Sequence, residues 1–146
     1  MMRIGVEAIG VLGPGLTGWD GAREVLAGRE PYRATPLPPC EPVGLSPVER
    51  RRSYPAVRLA MAAAEQALHG TTIAPQDLAL VFASREAEGL ITHQLCEALA
   101  GSREVSPTQF HNSVHNAPSG YYSIAMKVKL GATSICRGRW TFSAGR

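Results

Sequence analysis

Two kinds of hydrophobic pattern alternate along this chain: short, nearly continuous apolar runs, and longer stretches in which apolar residues return every three or four positions. The first run, Ile4 to Leu12, reads as a glycine-containing strand ending at Gly13-Pro14-Gly15. Trp19 to Ala27 reads as a short helix, because Trp19, Ala22, Val25 and Leu26 share a face and Gly28 supplies a stop. Pro31, Pro36, Pro38, Pro39, Pro42 and Pro47 then break both patterns, and 31–47 is expected to be an ordered surface loop with extended pieces. Beyond it, Ser53 is placed to cap a helix with Pro55 in its first turn, running to Leu68 and closed by Gly70. Val57, Ala60, Met61, Ala64 and Leu68 form its apolar stripe, and Arg58, Glu65, Gln66 and His69 a narrow polar one. Its many alanines suit close approach by neighbouring layers, so this helix is expected inside a layered fold.

Leu78 to Ala83 is a continuous apolar run of the kind found in buried strands. Leu90 to Ala100 returns to helical spacing, with Ile91, Leu95, Ala98 and Leu99 on one face and Gly101 at its end. After a polar loop, Ala117, Tyr121, Ile124, Ala125 and Val128 give a third helical stripe, with Pro118 in its first turn and Gly131 as its stop. Ala132 to Cys136 reads as a second buried strand, and Trp140 to Gly145 as the start of a further helix. Strands alternating with helices in this order argue for an α/β layered sheet.

The composition narrows the picture. One domain, 1–146, fits 146 residues, and 45% hydrophobic residues are enough for a core. Fifteen Lys and Arg against twelve Asp and Glu leave a net charge of +3, spread along the chain, so no nucleic-acid partner is expected. No apolar run is long enough to span a bilayer, and Glu7 interrupts the N-terminal stretch where a signal peptide would need continuity. Three widely spaced cysteines, Cys40, Cys96 and Cys136, make a poor disulfide framework and favour a reduced, cytoplasmic protein.

Few residues suggest chemistry. His111 and His115 are four apart, a spacing that pairs zinc ligands on a helix, but no second ligand cluster accompanies them. The Asn and Ser residues around them favour a loop whose side chains satisfy backbone groups and cap the Pro118 helix. Cys136 ends a strand just before Arg137 and Gly138, where a following helix and a cation could activate a thiolate; otherwise it is a small core residue. Cys96 is expected in the core and Cys40 among the prolines. Arg50 to Arg52 reads as a solvated cluster ahead of a helix. No glycine fingerprint or other cofactor motif is present.

Several segments together resemble the β-ketoacyl synthase family. They are 53–60 with its alanine-rich helix, Val81-Phe82-Ala83-Ser84, the long block from Phe110 to Ala125, Thr133 to Cys136, and Thr141 to Gly145. The closest type is the short ketosynthase-like, chain-length-factor type protein of aryl polyene and related polyketide or fatty acid clusters. The resemblance implies the N-terminal half of a thiolase-like α/β sandwich, with apolar surface left exposed. It implies a ketosynthase partner subunit and, indirectly, acyl carrier protein, with no cofactor. In an active synthase a cysteine at the start of a central helix takes the acyl group, and two histidines from the C-terminal half assist decarboxylation. Those histidines have no counterpart here, and His111 and His115 lie elsewhere in the pattern. Cys136 is the sole candidate for the nucleophile; aligning Phe142 to Gly145 with the family's helix puts that position at Arg137. A non-catalytic subunit is therefore expected, with acyl transfer through Cys136 as the alternative.

Overall fold

The structure, a computed structural model, describes residues 3–85 and 88–138. A small antiparallel hairpin pairs β1 (Leu12–Gly13) with β2 (Leu16–Thr17) and leads into α1 (Trp19–Leu26). A proline-rich loop follows, then α2 (Pro47–Arg52), α3 (Pro55–Leu68) and a 3-10 turn at Pro75–Asp77. The second half contains β3 (Leu80–Ser84), α4 (Gly89–Ala100), α5 (Pro107–Asn112), α6 (Ala117–Ala125) and β4 (Ala132–Cys136). β3 and β4 pair in parallel, with Leu80 opposite Ala132 and Ser84 opposite Cys136.

The core lies between this sheet and helices α3 and α6. Leu45, Val57, Met61, Ala117 and Tyr122 are buried together, with Leu80 and Phe82 of the sheet packed against them. The rings of Phe82 and Tyr122 meet at 5.8 Å between centroids. Ser119 of α6 and Ser134 of β4 share a hydrogen bond of 2.7 Å, joining helix and sheet at a polar point. The two strands are covered on one face, whereas the sequence suggests full burial. Val81, which points away from the core face, is 60% exposed, because among the described residues no second layer covers that side.

α3 organises the N-terminal third through the side chains of its polar stripe, which do not simply face solvent. Gln66 Oε1 accepts a hydrogen bond from the Val11 N–H at 2.6 Å. Glu65 receives two, from the N–H groups of Val43 and Gly44 at 3.1 and 2.9 Å. Gly10 lies against the helix backbone, where an added Cβ would overlap the carbonyl of Ala63 and crowd Ala67. Gly10 and Val11 are thus held by a helix instead of a strand partner. The strand expected at Ile4 to Leu12 shrinks to the hairpin, and Ile4 is left 80% exposed.

Helix boundaries follow from local chemistry. α1 stops as expected at Gly28, which takes φ 70 while Gly28 and Arg29 return N–H bonds to Val25 and Glu24. α6 ends earlier than its apolar stripe suggests. Lys127 adopts φ 54, and the N–H groups of Lys127 and Val128 close onto the carbonyls of Ile124 and Ser123. This is the glycine-type helix stop made with a lysine, so Val128 joins the core from outside the helix. Ser53 is not a helix start: it is the C-cap of α2, buried and bonded to the Arg50 carbonyl, and Tyr54 precedes Pro55 at the head of α3. Cys96, expected in the core, is exposed, because it stands five residues and so well over a quarter turn round α4 from the buried Ile91.

Glu88 closes the first turn of α3 from a distance. It is 8% exposed, and its Oε1 accepts the Ala56 N–H at 2.8 Å. Burial raises this carboxyl above its ordinary range, outweighing the opposite pulls of the Ala56 N–H and the nearby Arg58. Protonation therefore favours the folded state, and that contribution is lost as pH rises through the raised value.

Two predictions follow from these contacts. Glu88→Gln keeps an acceptor for Ala56 while removing the charge. Its melting temperature should match the parent near pH about 4 and exceed it above about pH 6, measured by circular dichroism across that range. Gly10→Ala should destabilise by roughly 1–3 kcal/mol in urea unfolding, whereas Gly5→Ala, with open space around it, should change little.

Candidate functional site

The block from Phe110 to Ala125 folds around a groove of about 660 Å³ between α2, α5 and α6. Both short helices are absent from the sequence reading, which places loops there. α2 begins with a reciprocal cap: Ser46 Oγ accepts the Glu49 N–H at 3.3 Å, and Glu49 Oε2 accepts the Ser46 N–H at 3.0 Å. The Ser46 side chain, and then its backbone, hold the Glu49 carboxyl below its usual range. α5 begins with one half of such a cap, Ser106 Oγ accepting from the Gln109 N–H, and with Pro107 in the first position. Gln109 also donates to Gln94 at 3.1 Å, tying α5 to α4.

Asn112 is the joint between the two short helices. Fully buried, it donates from Nδ2 to the Arg52 carbonyl of α2 at 3.0 Å and to the Thr108 carbonyl of α5 at 2.8 Å. Its Oδ1 has no hydrogen-bond partner among the described residues. The groove walls carry Glu49 and Arg52 from α2, Thr108 and His111 from α5, and Gly120 and Tyr121 from α6. His111 meets Tyr121 edge-on at 6.0 Å. Around the mouth Ile124 is 75% exposed and Val114 is also exposed, whereas Phe110, 64% exposed, lines a separate cleft with Leu95, Leu99 and Val105.

His111 and His115 do not share a helix face. α5 ends at Asn112, so His115 lies beyond the helix that carries His111, and the four-residue helical spacing is lost. Among the described residues no group of three or more His, Cys, Asp or Glu could hold a metal ion. The polar side chains do satisfy backbone groups, through Asn112 and through Ser113 Oγ to the Phe110 carbonyl at 2.9 Å. They do not cap α6: Asn116 makes no capping bond with its side chain, and Ser119 instead donates to the Asn116 carbonyl.

Cys136 is exposed at the end of β4 and is not among the residues lining the groove. Its Sγ donates to the Arg85 carbonyl at 3.5 Å. The helix expected from Trp140 to Gly145 lies outside the described residues. Arg50, in the basic cluster, is engaged structurally, with Glu41 at 3.3 Å and the Leu45 carbonyl at 3.2 Å.

The groove is therefore suited to recognition. Glu49 is committed to a cap and Asn112 to two carbonyls, while the mouth offers apolar side chains that would lose water on contact. Asn112→Ala should cost about 2–3 kcal/mol in chemical denaturation, because a fully buried side chain and its two hydrogen bonds to backbone carbonyls are lost together. Ser113→Ala, at an exposed position, should cost less than about 0.5 kcal/mol.

Comparison with known proteins places this geometry. The sequence pattern of the "Beta-ketoacyl synthase, N-terminal domain" family matches residues 27–146. Curated proteins give no match. Among solved structures, a chain of the ketosynthase (ApeO) in complex with its chain length factor (ApeC) from Xenorhabdus doucetiae is similar, with a TM-score of 0.79 and 26% identity. The likeness covers 99% of this chain and 59% of that one, so the present chain spans about three fifths of its counterpart's length. The thiolase-like layered α/β fold implied by the sequence is thereby borne out. No helix among the described residues is long and apolar enough to cross a membrane. With its sequence matched over most of its length and its fold matched almost throughout, the chain belongs to the β-ketoacyl synthase, N-terminal domain family.

Proposed function

We propose that residues 1–146 form a single ketosynthase-like domain acting as a non-catalytic, chain-length-factor type subunit. It would pair with a ketosynthase during acyl-chain condensation in polyketide or fatty acid biosynthesis of the aryl polyene type. The observation that carries this reading is the likeness, over nearly the whole chain, to a structure in which a ketosynthase is bound to its chain length factor. The groove between α2, α5 and α6 supports it, because exposed Val114 and Ile124 give an apolar rim that a partner subunit would cover. In this reading the protein works in the cytoplasm, and acyl carrier protein reaches it through the ketosynthase partner.

The alternative is an acyltransferase using Cys136. Its support is the exposed position of the thiol at a strand end. The Arg85 carbonyl occupies the thiol proton, and no general base is placed beside it in the described contacts.

Two measurements test the pair. Co-expression with the ketosynthase of the same gene cluster should yield a one-to-one complex by size exclusion with light scattering. Ile124→Asp should weaken that complex about tenfold or more without lowering the melting temperature, since the side chain is 75% exposed at the groove. Separate elution of the two wild-type proteins would overturn the subunit reading. Incubation with an acyl-carrier-protein thioester should leave the intact mass unchanged; an adduct that disappears in Cys136→Ala would establish the alternative.

A further inference from the structure

A second cleft, of about 540 Å³, lies on another part of the molecule, between the proline-rich loop and the head of α3. Its apolar walls come from Leu37, Pro38 and Pro39 on one side and Pro55 and Leu59 on the other. Glu88 also lines it, and this is the one carboxylate in the cleft that is more than nine-tenths buried.

The charge arrangement there is unfinished. An ionised carboxylate offers about four acceptor positions on two oxygens. Among the described residues Glu88 receives a single hydrogen bond, from the Ala56 N–H to Oε1. Arg58 lines the cleft and acts on Glu88 through space, without a hydrogen bond to it. Glu41, at the same cleft, is turned to Arg50 by an ion pair at 3.3 Å. Glu41 is thus matched by Arg50, while the buried Glu88 feels Arg58 only through space and has no direct ion pair among the described residues. A protonated amine donates up to three hydrogen bonds and carries the compensating charge, and an apolar body on that amine would fit the proline and leucine walls.

We infer that the cleft between the proline-rich loop and α3 is a binding site for an ammonium group carried on an apolar body, with Glu88 as the anion that receives it. The site is separate from the groove assigned to the partner subunit and does not depend on that assignment. Two sources share this chemistry, a free hydrophobic amine and a lysine side chain presented by a peptide.

The test uses the full chain and nuclear magnetic resonance titration. Cyclohexylammonium should give saturable shifts at the Ala56 and Glu88 amides, and cyclohexanol, of similar shape but uncharged, should bind at least about tenfold more weakly. Glu88→Gln, which retains an acceptor for Ala56, should weaken the amine by a similar factor and leave the alcohol unaffected. Leu37→Lys, which brings an ammonium of its own to the cleft wall, should compete with the amine while Glu88 stays in place. A blocked lysine pentapeptide identifies the source: tighter binding than cyclohexylammonium assigns a protein-borne lysine, and weaker binding a free amine. Equal binding of amine and alcohol, or unchanged amine binding in folded Glu88→Gln, would overturn the inference.

Discussion

The fold depends on the backbone-gripping face of α3. Glu65 and Gln66 are adjacent in sequence and turn towards different segments: Glu65 holds the proline-rich loop at Val43 and Gly44, and Gln66 holds the N-terminal segment at Val11. Neither segment has a β-ladder at those points to absorb its N–H groups, so unmet donors would carry a desolvation cost wherever they were covered. The side chains remove that cost and at the same time set where both segments cross the helix. The other faces of α3 place Val57 and Met61 into the core, so one helix coordinates packing and loop position together.

The candidate groove is well formed although two of its walls, α2 and α5, are helices of only six residues each. α2 and α5 are too short to be stable alone, since helix nucleation is costly and few bonds repay it. Each is started by a serine cap followed by proline, and each is then fastened at its far end by one shared residue, Asn112. The groove is a consequence of those local devices, and its apolar rim is what remains after their polar groups have been satisfied internally.

The long helices and both parallel strands were legible because their patterns are strong: an alanine-rich stripe with a glycine stop for α3, and a continuous apolar run for β3. Residues 4–11 were not, since a strand exists only with a neighbour, and the sequence of one segment does not state whether a neighbour is present. α2 could have been found, because Ser46 and Glu49 stand at the spacing of a reciprocal cap with Pro47 between them. Ser106-Pro107 offered a weaker form of the same signal for α5. Lys127 could not have been anticipated as a helix stop, because a lysine adopts a positive φ only when the surrounding contacts impose it. In the Phe110 to Ala125 block, the reading that polar side chains satisfy backbone groups is met by Asn112 and Ser113, while the capping of the Pro118 helix by side chains is not. Cys96 shows the limit of assigning burial from a broad apolar face when only the first turn of the helix meets the core.

The parallel pairing of β3 with β4 has a kinetic side. Leu80 and Ala132 must meet across about 50 residues that include three helices, so the sheet cannot form by local zipping. During synthesis β3 leaves the ribosome well ahead of its mate and waits with its ladder groups open, while the intervening helices collapse first. The interval is set by translation, and it makes the pace of elongation between these two strands a determinant of how much of the chain reaches its native pairing.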